Sequence, residues 1–179
     1  MNLAIRLAEL NDLDGIEALM KRSMKTLGVG RYSAEQINSC CQFVCVPDCQ
    51  LIEDQTFFVV RTEEGDLVGC GGWSIRKKLY AGPSQAPLNR DLLDPSRDPA
   101  RIRAMFTDPA YRGKGVGSLI LDHAEKAAHA RGFSKGALGA TLSGLSFYTA
   151  KGWQKTASEQ ALLPDGIAIE VIQMEKLFN

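Results

Sequence analysis

The stretch Ala104-Met-Phe-Thr-Asp-Pro-Ala-Tyr-Arg-Gly-Lys-Gly-Val-Gly-Ser-Leu-Ile-Leu121 decides how this chain is read. Ile102, Ala104 and Phe106 alternate with Arg103, Met105 and Thr107, which predicts a partly buried strand. Asp108-Pro109 ends it, because proline lacks the N–H that a sheet ladder needs. Gly113, Gly115 and Gly117 then leave the backbone bare where a helix begins, and Ile120, Ala124, Ala127 and Arg131 continue at helical spacing. Unpaired N–H groups at a helix N-terminus, backed by the helix dipole, form a site for an anion. Arg112 and Lys114 add full positive charges. Such a loop predicts a phosphate or pyrophosphate ligand, against the plainer reading of a tight turn that needs glycine.

Two familiar nucleotide motifs fail on this stretch. A Walker A loop needs Gly-Lys-Ser or Gly-Lys-Thr, and neither dipeptide extension is present. The dinucleotide fingerprint needs a third glycine where Ser118 stands. What fits is Arg112-x-x-Gly115-x-Gly117 with a proline three residues before the arginine, and the run from Met105 to Gly117 resembles the motif of the GNAT N-acetyltransferases. The resemblance implies that Arg112, Gly113, Lys114, Gly115, Val116, Gly117 and Ser118 hold the pyrophosphate of acetyl-CoA. It also implies that backbone groups of Met105, Phe106 and Thr107 pair with pantetheine like an added strand, with the amide near Met105 facing the thioester oxygen. A second stretch, Phe147-Tyr148-Thr-Ala-Lys151-Gly152-Trp153, is similar to another part of the family pattern and puts Tyr148 in the place of its general acid. Thr141 and Gly144 stand where that pattern usually has Asn and Ala.

Composition bounds the alternatives. At 179 residues the chain is expected to form one domain, 1–179, with a sizeable core. Lys+Arg 21 against Asp+Glu 21 gives a net charge of zero, unlike a dedicated nucleic-acid binder. No apolar run approaches the ~20 residues of a membrane span, and the N-terminus lacks a signal pattern, so a soluble, cytoplasmic protein without nucleic-acid or membrane partners is expected.

Leu3, Ile5 and Leu7 alternate as a first strand, and Asn11 or Asp12 can cap a helix running to about Leu27. Ser33 followed by Gln36 forms a capping-box pattern for a second helix through about Val44. The resemblance makes these helices one wall of the acceptor groove, with Tyr32 and Glu35 as candidate substrate contacts; surface residues at a helix start are the plainer reading. Cys40, Cys41, Cys45 and Cys49 invite a metal, but Pro47 breaks the helix and the spacing is not that of zinc pairs. No metal site and no disulfide is expected, the thiols being free.

Thr56–Arg61 and Leu67–Ile75 read as a hairpin about Glu63-Glu-Gly65-Asp66, and three glycines in the second strand predict a bulge or close backbone packing. From Arg76 to Pro99 periodicity is lost, and this loop could fold over the substrate entrance. Asp91, Asp94 and Asp98 could attract a cationic amine, though solvated loop carboxylates are commoner. Gly132 supplies a helix C-cap; Ala137–Thr141 reads as a strand, Ser143–Gly152 as a short helix, and Ile167–Ile172 as a last strand in a hairpin with one starting near Trp153. The resemblance implies the GNAT α/β fold, a mixed, mostly antiparallel sheet splayed at the cofactor strand and flanked by helices.

Acetyl transfer needs an anchored thioester, a deprotonated amine, a stabilised oxyanion and a protonated thiolate. No Glu or Asp occurs from Arg101 to Thr107, where many relatives keep a base, and a water relay ending at a carboxylate such as Asp98 is one route left open. The expected activity is acetyl-CoA-dependent N-acetylation of a small-molecule or polypeptide amine. A noncatalytic acyl-CoA sensor and an unrelated phosphate-binding domain are the alternatives; the retained Tyr148 favours the enzyme. A homodimer is left open.

Overall fold

A computed structural model of the chain describes residues 2–77 and 91–178. Strand β1 (Leu3–Leu7) leads through a 3-10 turn into helix α1 (Leu13–Leu27), followed by α2 (Ala34–Phe43) and α3 (Cys49–Glu53). Strands β2 (Phe57–Thr62), β3 (Leu67–Ser74) and β4 (Ala100–Thr107) precede helix α4 (Val116–Ala130). Strand β5 (Lys135–Thr141), helix α5 (Leu145–Ala150), β6 (Gln154–Leu162) and β7 (Ala168–Leu177) complete it. The seven strands form one sheet in the order β1-β2-β3-β4-β5-β7-β6, antiparallel except for β4 beside β5. This is the mixed, mostly antiparallel sheet with flanking helices that the resemblance implied.

Packing explains the layers. Ile16, Leu19, Met20 and Met24 of α1 recur at helical spacing and bury against Phe57, Val59 and Cys70 on one sheet face. Leu121, Ala124 and Ala128 of α4 pack with Trp73, Ile102 and Phe133 on the other. The capping box at α2 forms as read, with the Gln36 N–H donating to Ser33 Oγ at 3.1 Å and the Ser33 N–H to Gln36 Oε1 at 3.0 Å. Gly132 follows the end of α4 at φ +91°, the left-handed backbone of a helix stop.

Several expectations need correction. Asp12 is not a free helix cap: it is 4% exposed, and its carboxylate accepts from Arg6 at 2.7 and 2.8 Å and from Arg61 at 2.8 Å. The bond to Arg6 foremost holds that carboxyl well below the usual range. Helix α2 ends at Phe43, four residues before Pro47, and the chain turns helical again as α3, where the Asp48 side chain accepts the Gln50 N–H at 3.1 Å. β7 runs five residues beyond Ile172, to Leu177. In the Arg76–Pro99 loop, residues 78–90 lie outside the described residues, and the described remainder joins the end of β3 to the start of β4.

All five cysteines are free. Burial pushes the Cys40 thiol up to about 11 and the Cys70 thiol to about 12, so both stay protonated near neutrality. Among the described residues no group of three or more His, Cys, Asp or Glu side chains is placed to hold a metal ion, and no helix is long and apolar enough to cross a membrane.

Candidate active site

The site begins where the sheet comes apart. β4 pairs with β5 only at Ala100–Gly136 and Arg101–Ala137; from Ile102 onward that edge of β4 has no strand beside it among the described residues. A bulge sharpens the divergence. Cys70 faces Phe106 and Gly72 faces Arg103, so Gly71 alone opposes both Ala104 and Met105, and Ala104 takes φ +54°. The expected alternation therefore breaks in mid-strand: Ile102 packs with the α4 layer, while Ala104 and Phe106 pack with the α1–α2 layer. The space so opened is a cavity of about 600 Å³, walled by β4, β5, α1, the start of α4, α5 and the β6–β7 hairpin.

One end of the cavity is the glycine loop. After β4, Asp108 caps a 3-10 turn at Pro109–Tyr111, its Oδ1 accepting the Ala110 N–H at 2.9 Å. Its other oxygen accepts from Arg22 of α1 at 2.9 and 2.6 Å, fixing the loop to a distant helix. Gly113 and Gly115 hold φ +74° and +85°, and a Cβ at either would meet nothing within 4 Å. Glycine is needed there for the left-handed backbone, not for lack of room. The first helical bond runs from the Leu119 N–H to the Gly115 carbonyl at 2.9 Å, so the N–H groups of Val116, Gly117 and Ser118 have no intrahelical acceptor. Gly117 serves differently, since a Cβ there would lie 3.3 Å from the Phe147 ring. Arg112 and Lys114 are exposed; Arg112 lines the cavity, whereas Lys114 turns away, its Nζ 4.6 Å from the Tyr111 ring centre. Open space, unpaired amides and a free edge strand match what a pyrophosphate with an extended amide-bearing arm requires.

Met105, Phe106 and Thr107 line the middle of the cavity, and Tyr148 of α5 faces them across the splay. Tyr148 is only 8% exposed and packs edge-on against Phe147 at 5.1 Å and Trp153 at 6.2 Å. Its hydroxyl bonds to no side chain or backbone group among the described residues. Burial raises its pKa well above the ordinary tyrosine value, so the proton is kept across the neutral range.

The three expected acceptor contacts are placed elsewhere. Tyr32 is buried as a staple: its hydroxyl donates to the Glu170 carbonyl at 3.1 Å and accepts the Leu142 N–H at 2.9 Å. Glu35 is exposed on the first turn of α2, and neither residue lines the cavity. Asp98 closes its own turn, accepting the Asp94 N–H at 2.8 Å, at the end of β4 remote from the glycine loop. Other residues line this part of the cavity. Met24, Phe43, Val44, Leu163, Ile169 and Val171 give this part of the cavity an apolar wall. Arg103 is buried in it, its Nη2 2.8 Å from Asp48 Oδ2. The available signal was a pair of arginines, Arg101 and Arg103, inside an otherwise largely apolar strand beside the motif. Among the described residues, Arg103 and Arg112 are the only charged side chains on the wall.

Comparison with known proteins agrees with this architecture. Residues 53–155 match the family model of the acetyltransferase (GNAT) domain, and the chain belongs to that family of acyl-transfer enzymes. A GCN5-related N-acetyltransferase from Rhodopseudomonas palustris superposes with a TM-score of 0.72 at 20% identity, covering 99% of this chain and 96% of its own. The PaiA N-acetyltransferase of Thermoplasma acidophilum, solved with coenzyme A, gives 0.65 at 18% identity over 99% of this chain and all of its own. A GNAT-family acetyltransferase from Staphylococcus aureus gives 0.66 at 13% identity, covering 99% of this chain and 100% of its own. No curated protein matches the sequence.

Proposed function

We propose that residues 1–179 form one catalytic domain that moves an acetyl group from acetyl-CoA to a primary amine by direct attack on the thioester. The observation that carries this reading is the continuity of one cavity from the α4 amides, past the β4 bulge, to the Tyr148 hydroxyl. Arg112, Gly113, Gly115, Val116, Gly117 and Ser118 would hold the pyrophosphate, with Lys114 adding long-range charge. The free edge of Met105, Phe106 and Thr107 would pair with the pantetheine arm. When bound, acetyl-CoA supplies an already activated acyl group. The chain's own tasks are then to orient it, to place the Met105 amide against the developing oxyanion, and to return a proton from Tyr148 to the departing thiolate.

A second reading, a noncatalytic acyl-CoA sensor, draws support from the lack of any carboxylate or imidazole on the described cavity wall. Two measurements separate the readings: calorimetric CoA binding, and free-thiol release with acetyl-CoA and a panel of amines. CoA binding with amine-dependent thiol release supports the enzyme; binding without release under any amine supports the sensor. Gly115→Val tests the site itself. A side chain forced into φ +85° costs about 1–2 kcal/mol and tilts the first amides of α4. CoA affinity is expected to fall about tenfold or more, the scale of one charge-assisted hydrogen bond or two. Unchanged affinity in the folded variant would remove the loop assignment.

A further inference from the structure

Arg103 is the residue that neither the fold nor acetyl transfer accounts for. Its side chain is 5% exposed, in the β4 strand immediately before the bulge. Asp48 satisfies it only in part. That carboxylate gives one oxygen to Arg103 Nη2 at 2.8 Å and the other to the Gln50 N–H at 3.1 Å, as the N-cap of α3. The Nε–H of Arg103 is buried and meets no acceptor. Two other buried nitrogens, Trp73 Nε1 and Arg101 Nε, also lack acceptors, but neither residue lines the cavity, whereas Arg103 does.

Charge and shape around it are one-sided. Arg103 is on the cavity wall and Asp48 is not, and no described acidic side chain lines the cavity. Residues 78–90, outside the described set, contain no Asp or Glu. A polyamine would bring further cations against a buried arginine with nothing to neutralise them, at a cost that disfavours it. A carboxylate would instead complete the fork that Asp48 leaves half filled. Beside this charge the wall is apolar, with Met24, Phe43, Val44, Leu163, Ile169 and Val171.

We infer that Arg103 is the acceptor's anion anchor: the substrate is a small primary amine that carries a carboxylate on an apolar body. The amine part of this statement rests on the acetyl-transfer reading, while the anion site stands on the geometry alone. An oxyanion seated at Arg103 sits next to Ala104 and Met105, which puts a nearby amino group within a few bonds of the bulge.

The test separates the two parts. With CoA present, binding of 3-phenylpropionate and of 3-phenylpropanamide is measured by calorimetry on the wild type, Arg103→Gln and Arg103→Lys. The carboxylate is expected to bind the wild type about 10- to 100-fold more tightly than its amide, as one to two charge-assisted hydrogen bonds give. Arg103→Gln should abolish the difference and Arg103→Lys should keep part of it, both with unchanged CoA affinity. Equal binding of acid and amide to the wild type overturns the anchor, and that comparison needs no variant to fold. Transfer is then read with phenylalanine, phenylalaninamide and phenethylamine. A kcat/KM counted on the neutral amine and ordered acid first, lost in Arg103→Gln through KM, supports the substrate class; the amide or simple amine leading on that basis overturns it. Tight carboxylate binding with no transfer to any amine would keep the anchor and remove the acetyltransferase reading instead.

Discussion

At Tyr148 the ring is buried among aromatic rings, while the hydroxyl bonds to nothing among the described residues and stays open to the cavity that the residue lines. A core tyrosine ordinarily pairs its hydroxyl, because an unpaired buried polar group is costly. The cavity in front of it leaves the group free for a bound partner, as the proposed acid role requires. Tyr148→Phe is expected to lower turnover about 10²-fold, near 3 kcal/mol of barrier and the lower end for general acid catalysis, since a thiolate is a fair leaving group unaided. Stability should change by less than about 0.5 kcal/mol, because no bond within the chain is lost. Steady-state transfer and CoA affinity on the same folded variant check this, and full turnover would reduce Tyr148 to a packing residue. Tyr32 shows the opposite case. Its hydroxyl is satisfied twice by backbone, a tertiary arrangement that no local sequence pattern could reveal.

Among the elements, those legible in the sequence are the ones set by local chemistry. The glycine loop could be read because a left-handed backbone selects glycine residue by residue, and the α2 start because a capping box spans only four residues. The β3–β4 bulge was half legible: the glycines of 67–75 predicted a bulge or close backbone packing, but the regular alternation in 102–107 did not show that the extra residue lies on β4. β3 permits the bulge. A Cβ at Gly71 would lie 2.4 Å from Met105 Sδ and 3.1 Å from Met105 Cα, while one at Gly72 would lie 2.1 Å from the Thr56 carbonyl oxygen. These contacts predict different failures. Gly72→Ala meets rigid backbone in β2 and should destabilise the fold by about 3 kcal/mol. Gly71→Ala meets first a flexible sulfur, so it should melt closer to wild type but move Met105 and lower turnover at saturating acetyl-CoA. Thermal melts and saturated rates on both variants decide it; a Gly71→Ala protein with the wild-type rate would mean that β3 does not position the bulge.

On the scale of the whole molecule, the glycine-loop half of the cavity lies close together in sequence and the opposite half does not. β4, the loop and α4 are consecutive, whereas the opposite wall draws on α1, the end of α2 and the β6–β7 hairpin, held together by bonds such as Ser39 Oγ to Asp165 at 2.9 Å. That dispersal is why Tyr32, Glu35 and Asp98 were expected at a site they do not line. It also shapes the pH dependence. Among the described residues no Asp, Glu or His lines the cavity, and none occurs in residues 78–90, so on the acetyl-transfer reading no carboxylate or imidazole is placed there to deprotonate the amine. The amine must arrive neutral or lose its proton to water, and the neutral fraction rises tenfold per pH unit below the amine's own pKa. The acid limb does not oppose this rise, because burial raises Tyr148 above its usual value of about 10 and keeps it protonated. The expected profile of log kcat/KM therefore climbs with slope about one and levels off at the pKa of the acceptor, with no fall below about pH 10. Replacing the acceptor by a less basic amine should move the plateau down by the difference between the two amine pKa values. The measurement is kcat/KM for two such amines over the pH range in which the protein stays folded. An inflection at one fixed pH for both would reveal a base belonging to the enzyme and overturn the argument.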